Sequence, residues 1–178
     1  MPQPSTSSTH TRAQHWFAAY SADHQHPLNQ RLHQWCVPAI LWSLVILLSL
    51  IPLGVSGASF NISLIAWVVS ALALSFWVWL LPWRLVLILA AVLLACLVSG
   101  AFLRAELGTG GLFALALGVF LIAWVGQFIG HYVEGKRPSF FTDLVYLMIG
   151  PPWVIIKVMG SQSMGVSSVR QAKTESKA

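Results

Sequence analysis

The sequence predicts an all-α integral membrane protein with four transmembrane helices, an interfacial N-terminal helix and a C-terminal segment that is either broken and re-entrant or a fifth span. The composition predicts this class, because 57% of the 178 residues are hydrophobic and 8% are charged. In addition, no Asp, Glu, Lys or Arg occurs between Leu32 and Trp83. A soluble domain of this length cannot hide so much apolar surface, whereas a bilayer requires helical spans of about 20 apolar residues.

Four apolar segments have the length of a membrane span and are separated by short connections that contain glycine, proline or charge. They comprise residues 35–53, 62–81, 85–103 and 112–131. Backbone groups cannot stay unpaired in hydrocarbon, so each segment is predicted to be helical, with RAELGTGG (104–111) as the loop between the last two. Residues 12–160 are predicted to form one membrane-embedded domain between disordered polar tails at 1–11 and 161–178.

A fifth apolar segment, Phe140–Met159, contains the sequence GPP, and a proline removes a hydrogen bond from a helix. We therefore expect it to break into two halves that are each too short to cross a bilayer. If the segment does not cross, nine of the ten Lys and Arg residues share one side and only Arg104 lies opposite, whereas a crossing divides them five and five. Because positive charge collects on the cytoplasmic side, four spans with both termini in the cytoplasm are favoured, most simply in a bacterial inner membrane.

An amphipathic interfacial helix is predicted over residues 12–23, ahead of the first span. Trp16, Phe17 and Tyr20 would face lipid or protein from its apolar side. Pro27 ends this helix and suits the first turn of the next one, because its fixed backbone angle is already helical.

Histidines collect at the ends of the first and fourth predicted spans. The first span leaves the cytoplasm and the fourth returns to it, so His24, His33 and His131 reach the same membrane level although they are distant in sequence. Ionisable groups beside hydrocarbon are costly and usually mark a site. Neutral imidazole binds iron, zinc, copper and nickel. Three such ligands with open positions suit a metal that also holds substrate and dioxygen, whereas a site closed by four ligands suits structural zinc better. We therefore predict these three histidines to be metal ligands and catalytic residues.

Other polar residues accompany the histidines. Asn29 shares a helix face with His33, and Gln127 and Glu134 form one stripe with His131. Glu134 is predicted to be catalytic, either as a fourth metal ligand or as the acceptor that orients an imidazole. Asn29 and Gln127 are predicted to contact substrate.

Lys136 and Arg137 follow the same stripe, just before Pro138. They satisfy the positive-inside bias, and they are also predicted to bind substrate by attracting an acidic headgroup such as a fatty carboxylate. His26 lies between two of the stronger candidates and is a weaker candidate for a metal ligand.

Two stretches of the chain resemble a known membrane family. YSADHQHPLNQRLHQWCVP begins at Tyr20, and QFIGHYVEGKRPSFFTDL begins at Gln127 and is followed by GPPW. Both resemble the family that contains the fungal 2-hydroxy fatty acid dioxygenase of phytosphingosine breakdown, together with bacterial relatives classed as a domain of unknown function. The likeness runs from about Tyr20 to Trp153.

The resemblance implies an iron(II)-dependent, non-haem dioxygenase that removes one carbon from a 2-hydroxy fatty acid as carbon dioxide. It implies that His24, His33 and His131 bind the Fe(II), with Asn29 and Gln127 as accompanying motif positions. The implied partners are a 2-hydroxy fatty acid or related lipid, dioxygen and the bilayer.

Two functions of other classes stay open on the residues alone. The first is a haem-binding electron-transfer subunit with two histidine ligands from facing helices. The second is a small transporter or assembly factor in which the histidines relay protons. Binding of nucleic acid is not expected, because the sequence has no basic stripe with interleaved aromatic residues.

Overall fold

The structure is a computed structural model, and it describes residues 7–52, 56–57, 60–61, 64–135 and 140–160. In chain order, its elements are α1 (Ser7–Asp23), α2 (Pro27–Ser49), β1 (Ser56–Gly57), β2 (Phe60–Asn61), α3 (Leu64–Leu80), α4 (Trp83–Glu134) and α5 (Phe140–Met159). The two short strands form an antiparallel hairpin in which Ser56 is opposite Asn61. Within these ranges the chain is helical apart from that hairpin and the connections, so the all-α class is confirmed.

Helix α2 begins at Pro27, as the sequence predicts. His26 precedes it as the N-cap, and its side chain accepts a hydrogen bond from the backbone N–H of Leu28 at 3.2 Å. Helix α1 begins at Ser7, earlier than predicted, and packs against α3 and α5. Its buried side chains include Phe17 and Tyr20, so the apolar side of α1 faces protein rather than lipid.

Helix α4 is interrupted at Gly108, where φ is 67° and ψ is 174°. The contacts of α4 with α2 show that the chain reverses there. Gly100 touches Ile46, near the C-terminal end of α2, and Gly130 touches Asn29, near its N-terminal end. Leu112 packs in the same cluster as Ile46. A straight helix would hold positions 100 and 112 about 18 Å apart, too far for both to meet one side chain.

The reversal divides α4 into a first arm (83–107) and a second arm (109–134). These arms correspond to the predicted third and fourth spans. The predicted loop at 104–111 is wrong, because every residue there except Gly108 is helical. Most residues of this stretch favour helix, and one glycine absorbs the whole change of direction.

Two of the described helices, α2 and α4, are long and apolar enough to cross a membrane. Large apolar side chains are exposed on both arms of α4; Phe102 is 64% exposed and Ile122 is 75% exposed. Such surfaces suit an apolar surrounding better than water. Helix α3 has 17 residues and is shorter, and the total number of crossings stays a prediction.

Helix α5 is continuous from Phe140 to Met159, so the predicted break at the GPP sequence is wrong. Pro152 has no N–H to donate to the carbonyl of Met148, four residues earlier. The indole N–H of Trp77, in α3, donates to that carbonyl at 2.9 Å. Tertiary packing therefore supplies the hydrogen bond that the proline removes.

Helix α2 packs against α3, α4 and α5. Because the second arm runs antiparallel to α2, the end of α4 lies beside the start of α2, where Gly130 touches Asn29. Near the same end, Gly150 of α5 packs against Val37 and Tyr20. Segments of α1, α2, α4 and α5 therefore meet near the start of α2.

Candidate metal centre

Three histidines from different parts of the chain meet beside the start of α2. His24 lies in the linker between α1 and α2, His33 lies in α2, and His131 lies in the last turn of α4. Each offers one ring nitrogen, and these nitrogens all lie within 4.8 Å of one another. His24 and His33 are buried, whereas His131 is partly exposed. The structure thus brings together the three residues that the sequence predicts as ligands, and metal binding itself stays a prediction.

Backbone carbonyls determine which nitrogen carries the proton in two of these rings. Nδ1 of His24 lies 2.6 Å from the carbonyl oxygen of Tyr20, and Nδ1 of His33 lies 3.0 Å from that of Asn29. A carbonyl oxygen only accepts hydrogen bonds, so each Nδ1 carries a proton, and in a neutral ring the Nε2 then presents a lone pair. Both acceptors are four residues earlier in the chain, so the local backbone geometry orients the rings.

The Nε2 atoms of His24 and His33 lie 3.1 Å apart. Two lone pairs at this distance repel each other unless a proton or a metal cation lies close to both. Two nitrogens that each bind one ion at about 2.1 Å would lie roughly 3.0–3.4 Å apart, so the pair fits a shared metal. Burial lowers the pKa of His24 more than the hydrogen bond to the Tyr20 carbonyl raises it, which favours the neutral, metal-binding ring over a shared proton.

Glu134, the last residue of α4, holds the linker that carries His24. Its Oε1 accepts a hydrogen bond from the backbone N–H of Gln25 at 2.8 Å. Its Oε2 accepts one from the backbone N–H of His26 at 2.8 Å and one from the side-chain amide of Asn29 at 3.0 Å. Its carboxylate oxygens do not belong to the group of potential ligand atoms that His24, His33 and His131 form. In this geometry Glu134 contacts the linker and Asn29, and its two predicted roles, as a fourth metal ligand or as the acceptor that orients an imidazole, stay predictions.

The other predicted site residues have different surroundings. Asn29 is fully buried, and its Oδ1 has no hydrogen-bond partner among the described residues, next to Gly130. Gln127 is buried and lines the cavity described below. His26 is exposed and caps α2. Lys136 and Arg137 lie outside the described residues, so their predicted role in binding substrate is not addressed.

A cavity that is partly open to the exterior lies against the three histidines; it contains about 660 Å³ of empty space when the open solvent at its mouth is included. Its walls come from α1, the linker, α2, the second arm and α5. The lining residues are Tyr20, His24, His33, Val37, Ile40, Trp124, Gln127, Phe128, His131, Tyr146 and Leu147. The three candidate ligands therefore line a mainly apolar space.

A sequence model described as 2-hydroxy-palmitic acid dioxygenase Mpo1-like matches residues 10–162. The match covers most of the chain, including all three histidines and the segments that surround the cavity. The chain belongs to the Mpo1-like family. No curated protein and no solved structure matches it.

Aromatic residues complete the site of this Mpo1-like chain, and the sequence did not predict them as part of it. The ring of Tyr20 stacks on His24 with centroids 4.1 Å apart, and Tyr146 donates a hydrogen bond to Asp23 at 2.5 Å. Tyr20 lies four residues before His24, a spacing that predicts a shared helix face. No comparable signal marks Tyr146, because only the packing of α5 brings it to the cavity.

Proposed function

We propose that this Mpo1-like protein is an iron(II)-dependent, non-haem dioxygenase that shortens 2-hydroxy fatty acids by one carbon. The observation that carries the proposal is the pair of Nε2 lone pairs of His24 and His33, 3.1 Å apart at the wall of a mainly apolar cavity. With His131 they form a three-imidazole set that leaves coordination positions open. The family description supports a 2-hydroxy fatty acid as the substrate.

The proposed reaction consumes one 2-hydroxy acid and one dioxygen, and it produces the acid with one carbon fewer, carbon dioxide and water. The bond between the carboxyl carbon and the hydroxyl-bearing carbon breaks, and dioxygen is the oxidant. Iron(II), when bound, supplies the activation of dioxygen and a positive charge for the substrate oxygens.

The residues of the chain would hold and orient the reactants. His24, His33 and His131 would hold the metal through ring nitrogens, and the two Nδ1 hydrogen bonds keep two of these rings in the binding tautomer. Gln127 lines the cavity and has both a donor and an acceptor for the polar head of the acid. The apolar walls limit access of water to the reacting atoms.

The proposal includes four membrane crossings, with both termini in the cytoplasm of a bacterial cell. By helix length, α2 and each arm of α4 extend about 35 Å or more, and α3 about 25 Å. This topology places the Gly108 bend on the side opposite the N-terminus. In a variant whose Cys36 and Cys96 are replaced, Glu106→Cys introduces a single cysteine that is expected to react with an impermeant maleimide added outside intact cells. A cysteine at His15 is expected to react after lysis only.

The histidine geometry does not suit the haem alternative. Axial ligands of a haem lie on opposite faces of the macrocycle, whereas the ring centroids of His33 and His131, on facing helices, are 5.2 Å apart and those of His24 and His33 are 4.3 Å apart, which leaves no space for a macrocycle between either pair. The purified protein is therefore expected to show no Soret band.

The decisive experiment is metal analysis of anaerobically purified protein, followed by incubation with 2-hydroxypalmitic acid and oxygen. We expect iron to be retained and the acid with one carbon fewer to appear together with carbon dioxide. Palmitic acid, which lacks the hydroxyl, is the matched control and should not be consumed. Turnover that persists after complete removal of iron would contradict the proposal and favour a metal-independent role for the histidines.

A further inference from the structure

The cavity has one polar end and a long apolar wall on α2. His33, Val37 and Ile40 are spaced by four and three residues, so they share one face of the helix, and all three line the cavity. Val37 and Ile40 are 5% and 3% exposed. Ile40 lies seven residues beyond His33, which is about 10 Å along the helix axis.

The second arm of α4 provides the opposite wall. His131, Phe128 and Trp124 share one face of this arm, and because the arm is antiparallel to α2, both walls lead away from the histidines in the same direction. Phe128 lines the cavity and is also 49% exposed. Its neighbours Val125 and Ile129 are exposed apolar residues, so the open side of the cavity adjoins an apolar outer surface.

We propose that this cavity is a slot for the first part of an alkyl chain, with the acid head at the histidines and the inner end formed by Ile40 and Trp124. An extended chain advances about 1.2 Å per bond, so a slot of about 10 Å accommodates roughly eight bonds. Phe128 lies between His131 and Trp124 along the second arm, so the remaining carbons of a longer chain bend out of the slot through its open side there, against the apolar surface of this arm. The slot specifies how the alkyl chain of the substrate is held, and this inference rests on the proposed function.

Ile40 is the residue that tests this assignment, because its side chain forms part of the inner end without contacting the metal-binding nitrogens. Ile40→Phe fills the slot and Ile40→Ala lengthens it. Each enclosed methylene contributes about fourfold to affinity. The two substitutions should therefore change kcat/KM strongly for acids longer than the slot and weakly for short acids. A general effect on folding would instead lower the activity of both variants on all acids alike.

The experiment measures kcat/KM for 2-hydroxy acids of about 6 to about 16 carbons with the iron-loaded, detergent-purified protein. Comparison of variants at one chain length cancels the partition of that acid into detergent. We expect Ile40→Phe to lower the ratio of long-acid to short-acid kcat/KM at least about tenfold, and Ile40→Ala to raise it. Ile46→Ala removes an equally buried isoleucine that packs against Gly100 instead, and it should keep the wild-type ratio.

Displacement of a fluorescent fatty acid, measured on the same variants without oxygen, separates this inference from the proposed reaction. If the acids bind with the expected shifts but none is consumed, the slot is supported and the dioxygenase proposal fails. If wild-type protein consumes the acids but both Ile40 variants keep the wild-type ratio, or shift it in the same direction, the slot assignment is overturned.

Discussion

The carboxylate of Glu134 accepts a hydrogen bond from the backbone N–H of His26 at 2.8 Å, which joins positions 108 residues apart in the sequence. This contact fixes the end of α4 against the linker that carries His24. His131, three residues before Glu134, is thereby held beside His24 and His33. One carboxylate therefore positions all three candidate ligands relative to one another.

Replacing Glu134 tests this positioning role. In Glu134→Gln, the amide NH₂ group cannot accept one of the backbone N–H bonds, so the linker loses part of its support. We expect the affinity for iron(II) to fall about 10–100-fold, the range for loss of an outer hydrogen-bond partner. Metal titration measures the effect, and Glu106→Gln, an exposed glutamate of the same helix, is the matched control. Wild-type iron affinity together with lost turnover would instead indicate a direct role for Glu134 in the reaction.

The three histidines are expected to be individually essential for metal binding. His33→Ala or His131→Ala removes one of the three candidate ligand atoms found among the described residues, so iron retention should fall by more than the roughly 10–100-fold that outer contacts provide. Iron content after anaerobic purification and turnover of 2-hydroxypalmitic acid are the two readouts. His15→Ala, at an exposed position of α1, should retain both. Full iron retention in His33→Ala or His131→Ala would show that the assigned ligands are wrong.

The reversal of α4 depends on the backbone at Gly108. Its φ of 67° and ψ of 174° lie in a region open almost exclusively to glycine, so Gly108→Ala should destabilise the protein by about 1–3 kcal/mol. Gly110 is helical and, like Gly108, has no neighbouring atoms within 4 Å of the position that an added methyl carbon would occupy. Gly110→Ala should therefore stabilise the protein by about 0.5–1 kcal/mol. Thermal unfolding in detergent compares the two, and equal effects would contradict the assigned bend.

The continuity of α5 depends on the hydrogen bond from Trp77 to the carbonyl of Met148. Trp77→Phe removes this donor and leaves a partly buried carbonyl unpaired, which is expected to cost about 1–3 kcal/mol of unfolding free energy. Pro152→Ala restores a backbone N–H that is able to donate to the same carbonyl. In a double-mutant cycle, Pro152→Ala should therefore be more favourable in the Trp77→Phe background than in the wild type. Equal effects in both backgrounds would show that the two donors do not share an acceptor.

Local sequence patterns predicted most of the helices. Pro27 marked the start of α2, and the apolar segments at 85–103 and 112–131 lie within the two arms of α4. The errors have causes that the local sequence does not reveal. RAELGTGG reads as a loop because it is rich in glycine, yet one glycine suffices for the reversal. The predicted break at GPP is absent because Trp77, on another helix, donates a hydrogen bond to the carbonyl that the proline leaves without its helical partner.

The residues of the candidate site were also within reach of the sequence, but their relations were not. The polar residues at the ends of two apolar segments identified His24, His33 and His131, because imidazoles beside hydrocarbon are costly. The role of Glu134 was not accessible, because it depends on which backbone N–H groups lie opposite its carboxylate. Tyr146 and Ile40 were missed for the same reason, since each reaches the cavity only through helix packing.

The sequence by itself determined the helical class, the apolar character and the candidate metal ligands, because these follow from composition and from spacing along single helices. Only the tertiary structure decided that two imidazole lone pairs face each other, that a glutamate holds the linker and that a slot leads away from the histidines. These features depend on the relative placement of side chains from separate helices. Local sequence does not encode such distances, because each one results from the packing of several elements at once.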